Sequence, residues 1–192
     1  MLRVDWRTAL RGLAGFAVAL AIWAFASPLY DRAVAACAEQ VMRAFERPPV
    51  TRLNPYEEYI SVDRSDFDPR SQHPAVPVKD LTFNFLLLAA LFAMEKRPLS
   101  DRNVPRFFLA CALLAVTHVF ALVAEVMSIY VMKLGLWSTV HYGDVARNVW
   151  SVISTSYRVV LMYAIAFALW WICRPSATMA EAAEKPRKRK RR

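Results

Sequence analysis

Four apolar stretches, flanked by Lys and Arg on alternate sides, constrain this 192-residue chain more than any other feature. Crossing a hydrocarbon core of roughly 30 Å takes about 20 predominantly apolar residues in a helix. Gly12 to Tyr30 carries no charge and has that length. Phe107 to Ala124 is also uncharged, and its apolar character continues past Glu125 to Met132. Asn148 to Cys173 holds one charge, Arg158, and is strongly apolar and aromatic from Val159 onward. Leu81 to Met94 is shorter, running between Asp80 and Glu95, or about 21 Å at a rise of 1.5 Å per residue. Beside the other three it reads as a short span whose flanking charges snorkel to the interface.

The predicted fold is an all-α polytopic membrane protein with four transmembrane helices, at 12–30, 81–95, 107–132 and 149–173, and a small extracytoplasmic insert at 31–80. Residues 1–11, 96–106 and 174–192 then share one side, and the loop 133–148 joins the insert on the other. Cations choose the orientation, because Lys and Arg in short loops stay cytoplasmic. Fifteen lie on the first side, including Arg3, Arg7, Arg11, Lys96, Arg97, Arg102 and Arg106; the second has nine, set against ten acids. Both termini are therefore expected in the cytoplasm, with the chain multi-pass in a bacterial inner membrane. The net charge of +9 follows from this bias and calls for no nucleic acid. A competing reading takes Ala24-Phe25-Ala26 as the cleavage site of a secretory signal. The apolar stretch is long for one, and an amphipathic helix follows it directly, which favours an uncleaved anchor.

That helix, Asp31 to Phe45, has apolar residues at Val34, Cys37, Ala38, Val41, Met42 and Phe45, the spacing of one helical face. Pro48 and Pro49 end it, and patches such as Tyr59-Ile60-Ser61-Val62 predict a loop or short-strand cap beyond. Fifty residues are too few for an independent core. Asp63, Asp66 and Asp68 read as a solvated acidic turn, since the Gly and closing Glu of a calcium loop are missing. At the other end, Arg187, Lys188, Arg189, Lys190, Arg191 and Arg192 form an unbroken basic run. It suits anionic lipid headgroups at roughly 1 kcal/mol per cation, and the segment before it reads as a disordered linker.

Ionisable groups inside a bilayer are costly and mark function by default. Glu125 and Arg158 fall at similar depth, about 27 Å and 22 Å from the cytoplasmic ends of their spans, and an ion pair clamping the two helices is the economical expectation. Cys111, His118 and Glu125 recur every seven residues and share a face. Ser151, Ser154 or Thr155, and Arg158 make a matching stripe on the last span. Polar packing between helices explains both. A proton path or a thiol nucleophile is the alternative, but seven residues is about 10 Å along a helix, too far for a nucleophile and its base. Cys37, Cys111 and Cys173 show no metal spacing, and no phosphate loop, catalytic triad or cofactor motif is evident.

The short span Phe83-Asn84-Phe85-Leu86-Leu87-Leu88-Ala89-Ala90-Leu91-Phe92, the basic loop after it, and the last span from Tyr157-Arg158-Val159-Val160-Leu161 to Leu169-Trp170-Trp171 give a distinctive order. In this layout the chain resembles the small membrane proteins associated with exosortases, particularly the exosortase H-associated type. The resemblance implies an accessory to a membrane protein-sorting transpeptidase. Exosortases themselves carry Cys in an A-C-S-G-like context, whereas Cys111 sits in Leu109-Ala110-Cys111-Ala112, so the enzymatic role does not carry over. The expected function is a non-catalytic scaffold that binds a larger integral membrane partner. A small transporter or proton-coupled subunit using His118, Glu125 and Arg158 is the alternative.

Overall fold

The computed structural model describes residues 5–46, 51–56, 59–67 and 73–174. Helix α1 (Trp6–Phe45) is followed by strands β1 (Arg52–Tyr56), β2 (Tyr59–Asp63) and β3 (Ala75–Pro77). Helices α2 (Val78–Thr82), α3 (Asn84–Ala93), α4 (Asn103–Met132), α5 (Leu136–His141) and α6 (Asp144–Ser156) come next. A π-helical turn (Tyr157–Leu161) then leads into α7 (Met162–Cys173). Three helical runs are long and apolar enough to cross a membrane: Trp6–Phe45, Asn103–Met132 and Asp144–Cys173.

α1 is far longer than a bilayer needs. Its 40 residues extend about 60 Å, twice the roughly 30 Å of a hydrocarbon core. Asp5 caps it by accepting from the Arg7 amide, and Pro28 sits inside it. The helix passes without a break through Ala24-Phe25-Ala26 and on to Phe45.

α3 runs antiparallel to α1. Met94 and Ala93 lie against Gly12 and Gly15, and Phe85 lies against Trp23, with ring centroids 6.1 Å apart. At ten residues α3 is about 15 Å long, shorter than the expected span at 81–95. Leu81 and Thr82 belong instead to α2, and Phe83 separates the two helices. Phe107 at the start of α4 packs on Phe92, 5.4 Å between centroids, so α4 reverses direction again. Arg174 after α7 reaches Glu95 after α3 at 3.4 Å, placing those ends together. The bundle thus alternates in direction through α1, α3, α4 and α6–α7.

Large apolar side chains cover much of its outer surface. Leu13, Val18, Ile22 and Phe25 of α1, Phe108, Val116 and Phe120 of α4, and Val152, Val159, Phe167 and Ile172 of the last run are all exposed. Such a perimeter suits lipid, because a helix satisfies its own backbone hydrogen bonds and needs no water there.

Beyond α1 the insert takes the short-strand form rather than an extended loop. β1, β2 and β3 form an antiparallel sheet in that order, with Leu53 opposite Val62 and Ile60 opposite Val76. These four residues are buried and pack with Val34, Ala35, Ala38 and Met42 in the second half of α1 and with Leu122, Val126 and Tyr130 of α4. The cap therefore borrows its core from the two long helices, which is how so short a segment folds. A second cluster, around Leu88, Phe92, Leu114 and Ala166, fills the bundle toward its other end.

Candidate functional site

Arg64 organises the cap. Its guanidinium donates to Asp66 from Nε at 2.9 Å and from Nη2 at 3.3 Å, and to Glu46 from Nη1 at 3.2 Å. It also lies over the rings of Tyr130 and Trp137, 5.4 and 5.5 Å from their centroids. Burial pushes the Asp66 carboxyl up, but the hydrogen bonds and charge of Arg64 outweigh it and hold Asp66 below its ordinary value. Glu46 accepts from the Thr51 amide at 2.8 Å and hydroxyl at 2.7 Å, and Thr51 Oγ1 bonds Tyr130 Oη at 2.6 Å. Of the acidic residues singled out in the sequence, Asp66 is thus an ion-pair partner, Asp63 faces His73 at 3.5 Å, and Asp68 lies outside the described residues.

Deeper in the bundle, α4 and the last helical run meet through charge. Arg158 Nε donates to Glu125 Oε1 at 2.6 Å, Arg158 Nη2 to Glu125 Oε2 at 2.8 Å, and Ser154 Oγ to Glu125 Oε1 at 2.6 Å. The side chain of Glu125 is 5 % exposed, whereas that of Arg158 is 37 % exposed. The carboxylate is thereby enclosed and the guanidinium is shared between the bundle and its surroundings. Arg158 lies within the π-helical turn, a one-turn irregularity often found at functional positions. Ser151 is half-buried and Thr155 exposed, so Ser154 alone of the three joins the carboxylate.

His118 belongs to a separate chain of contacts. Tyr30 Oη lies 2.6 Å from its Nδ1, and Asn84 Oδ1 lies 2.7 Å from its Nε2. Asn84 Nδ2 donates to the Met162 carbonyl at 2.8 Å. The partners fix the hydrogen positions. A carbonyl only accepts, so the amide end of Asn84 faces Met162 and its oxygen faces His118, which must donate from Nε2. A buried imidazole with no carboxylate beside it is best neutral, leaving Nδ1 to accept from Tyr30. This chain ties α1, α3, α4 and α7 together. Tyr157 Oη also donates to the Leu81 carbonyl at 3.3 Å, at the break before α3.

The seven-residue stripe on α4 therefore divides. His118 and Glu125 are buried with different partners, and among the described residues no hydrogen bond joins Cys111 to either. Tyr30 and Asn84 went unremarked in the sequence, although an amide within an otherwise apolar helix meets the same criterion that singled out the charges. The basic run Arg187 to Arg192 lies outside the described residues. No group of three or more metal-ligating side chains occurs among the described residues.

The family model for exosortase H-associated membrane proteins matches residues 4–159. The chain belongs to this family. The match takes in α1, the cap, α3, α4 and the Glu125–Arg158 pair. No curated protein and no solved structure matches the chain.

Proposed function

We propose that this family member is a non-catalytic accessory protein that binds a larger integral membrane protein, of exosortase type, and positions it in the bacterial inner membrane. One observation carries the reading. The polar groups that would serve chemistry are engaged with one another: Glu125 with Ser154 and Arg158, His118 with Tyr30 and Asn84. A nucleophile needs a base within hydrogen-bond reach, and these pairs offer structural clamps instead. A transport path through the same face finds less support, because the chain from Tyr30 ends on the Met162 carbonyl, which carries no proton.

The same reading has four passes and cytoplasmic termini. The antiparallel course of α3 along α1, from the level of Trp23 to that of Gly12, supports α3 with its flanks as the short second pass. The cation excess in the loop 96–106 and the tail supports the orientation, and that tail is suited to anionic headgroups.

The test is affinity purification of the intact chain from cross-linked native membranes in mild detergent, with mass spectrometry of what is recovered. An exosortase recovered at equal stoichiometry is the expected result. The chain recovered alone would overturn the reading.

A further inference from the structure

A cleft of about 160 Å³ opens between α1 and the cap, lined by Pro28, Asp31, Arg32, Pro55, Tyr59, Ile60 and Val78. Asp31 is 6 % exposed, and its Oδ1 has no hydrogen-bond partner among the described residues. An ionised carboxylate so enclosed is costly unless a donor reaches it. The charge of Lys79 is felt at this carboxyl but closes no hydrogen bond to Oδ1. Next to it, Arg32 is exposed at the rim. The cleft therefore has in its wall a carboxyl with one enclosed oxygen short of a donor, beside a cation and between apolar and aromatic side chains.

Its position narrows the ligand. The uncharged stretch of α1 ends at Tyr30, so Asp31 and Arg32 stand at the boundary where lipid headgroups begin. The complementary group carries a hydrogen-bonding ammonium and an anion a few atoms apart. We propose that this cleft binds the headgroup of a zwitterionic aminophospholipid, its primary ammonium donating to Asp31 and its phosphate meeting Arg32. A choline headgroup has the same net charge but no N–H, so it cannot supply what Asp31 lacks. A glycerol headgroup brings the phosphate without the ammonium.

Native mass spectrometry of the full chain in detergent, titrated with phosphatidylethanolamine, phosphatidylcholine and phosphatidylglycerol of matched acyl chains, tests this. Phosphatidylethanolamine should bind at least tenfold more tightly than phosphatidylcholine. Asp31→Asn should erase that preference, and Arg32→Gln should weaken all three lipids. Equal binding of the ethanolamine and choline lipids by the unaltered chain would overturn the proposal without recourse to any variant. So would an unchanged preference in Asp31→Asn. Competition by soluble phosphoethanolamine as strong as that of the lipid would reassign the cleft to a free solute and overturn the lipid assignment.

Discussion

Arg158 holds Glu125 with two hydrogen bonds, Nε to Oε1 at 2.6 Å and Nη2 to Oε2 at 2.8 Å, across two antiparallel helices. The fork geometry matches the two carboxylate oxygens as an ammonium cannot. Removing Arg158 leaves the enclosed Glu125 charge unpaired, a loss of about 3–5 kcal/mol for a buried charge, whereas removing Glu125 orphans a guanidinium that is 37 % exposed and costs less. Glu125→Gln should lower the melting temperature in detergent clearly, and Arg158→Lys should not preserve stability. The exchanged pair Glu125→Arg with Arg158→Glu should regain part of the loss. Single variants that melt with the unaltered chain would remove the clamp from the account.

The His118 contacts give a separate expectation. With Asn84 oriented by the Met162 carbonyl, His118 should carry its hydrogen on Nε2. Nitrogen-15 NMR of histidine-labelled protein in detergent should show that tautomer, and Asn84→Leu should abolish the preference. Tyr30→Phe removes one neutral hydrogen bond, worth about 1 kcal/mol, and should be mild. A spectrum dominated by the Nδ1–H form would contradict the assignment.

What the sequence discloses depends on how local the cause is. Charge inside an apolar run is a local signal, so Glu125 and Arg158 are conspicuous, and so is the amphipathic run beginning at Asp31. The sheet is a different matter. Pairing Leu53 with Val62 and Ile60 with Val76 joins segments separated by turns, and Pro55 inside β1 argues locally against a strand there. The sequence left the cap open between a loop and short strands, and neither the third strand nor the pairing register could be read from it. The π-helical turn at Tyr157–Leu161 and the break at Phe83 have no sequence signature at all. Each lies where side chains from other helices bond the backbone: Asn84 at Met162 and Tyr157 at Leu81.

Acid should loosen the cap. Asp66 is held below its ordinary value, against the effect of its burial, by Arg64. A depressed carboxylate adds stability that is present above its unfolded value of about 4 and is lost as pH falls through the folded value. The stability difference between the unaltered chain and Arg64→Gln should be constant from about pH 5 to 8 and shrink below about 4. Thermal melts of the two chains at each pH would measure that difference. A difference that persists undiminished into acid would show that the Arg64 contribution is ring packing, not ion pairing.

Close approach of α1 and α3 makes the last expectation a contrast between two glycines. A methyl group at Gly15 would overlap Cβ of Ala93, whose short side chain cannot move aside without shifting the helix. A methyl group at Gly12 would fall 2.9 Å from Cγ of Met94, in a flexible side chain that can rotate away about χ1. Overpacking at a rigid contact costs about 1–3 kcal/mol, whereas Met adapts by changing rotamer. Gly15→Ala should therefore lower the melting temperature in detergent more than Gly12→Ala, even though Ala is the better helix former at both positions. If α3 packs along α1 as the short second pass, Gly15→Leu should also expose the α3 flanks to cysteine-directed labelling from the aqueous side. Equal tolerance of Ala at the two positions would mean that the helices stand farther apart than these contacts require.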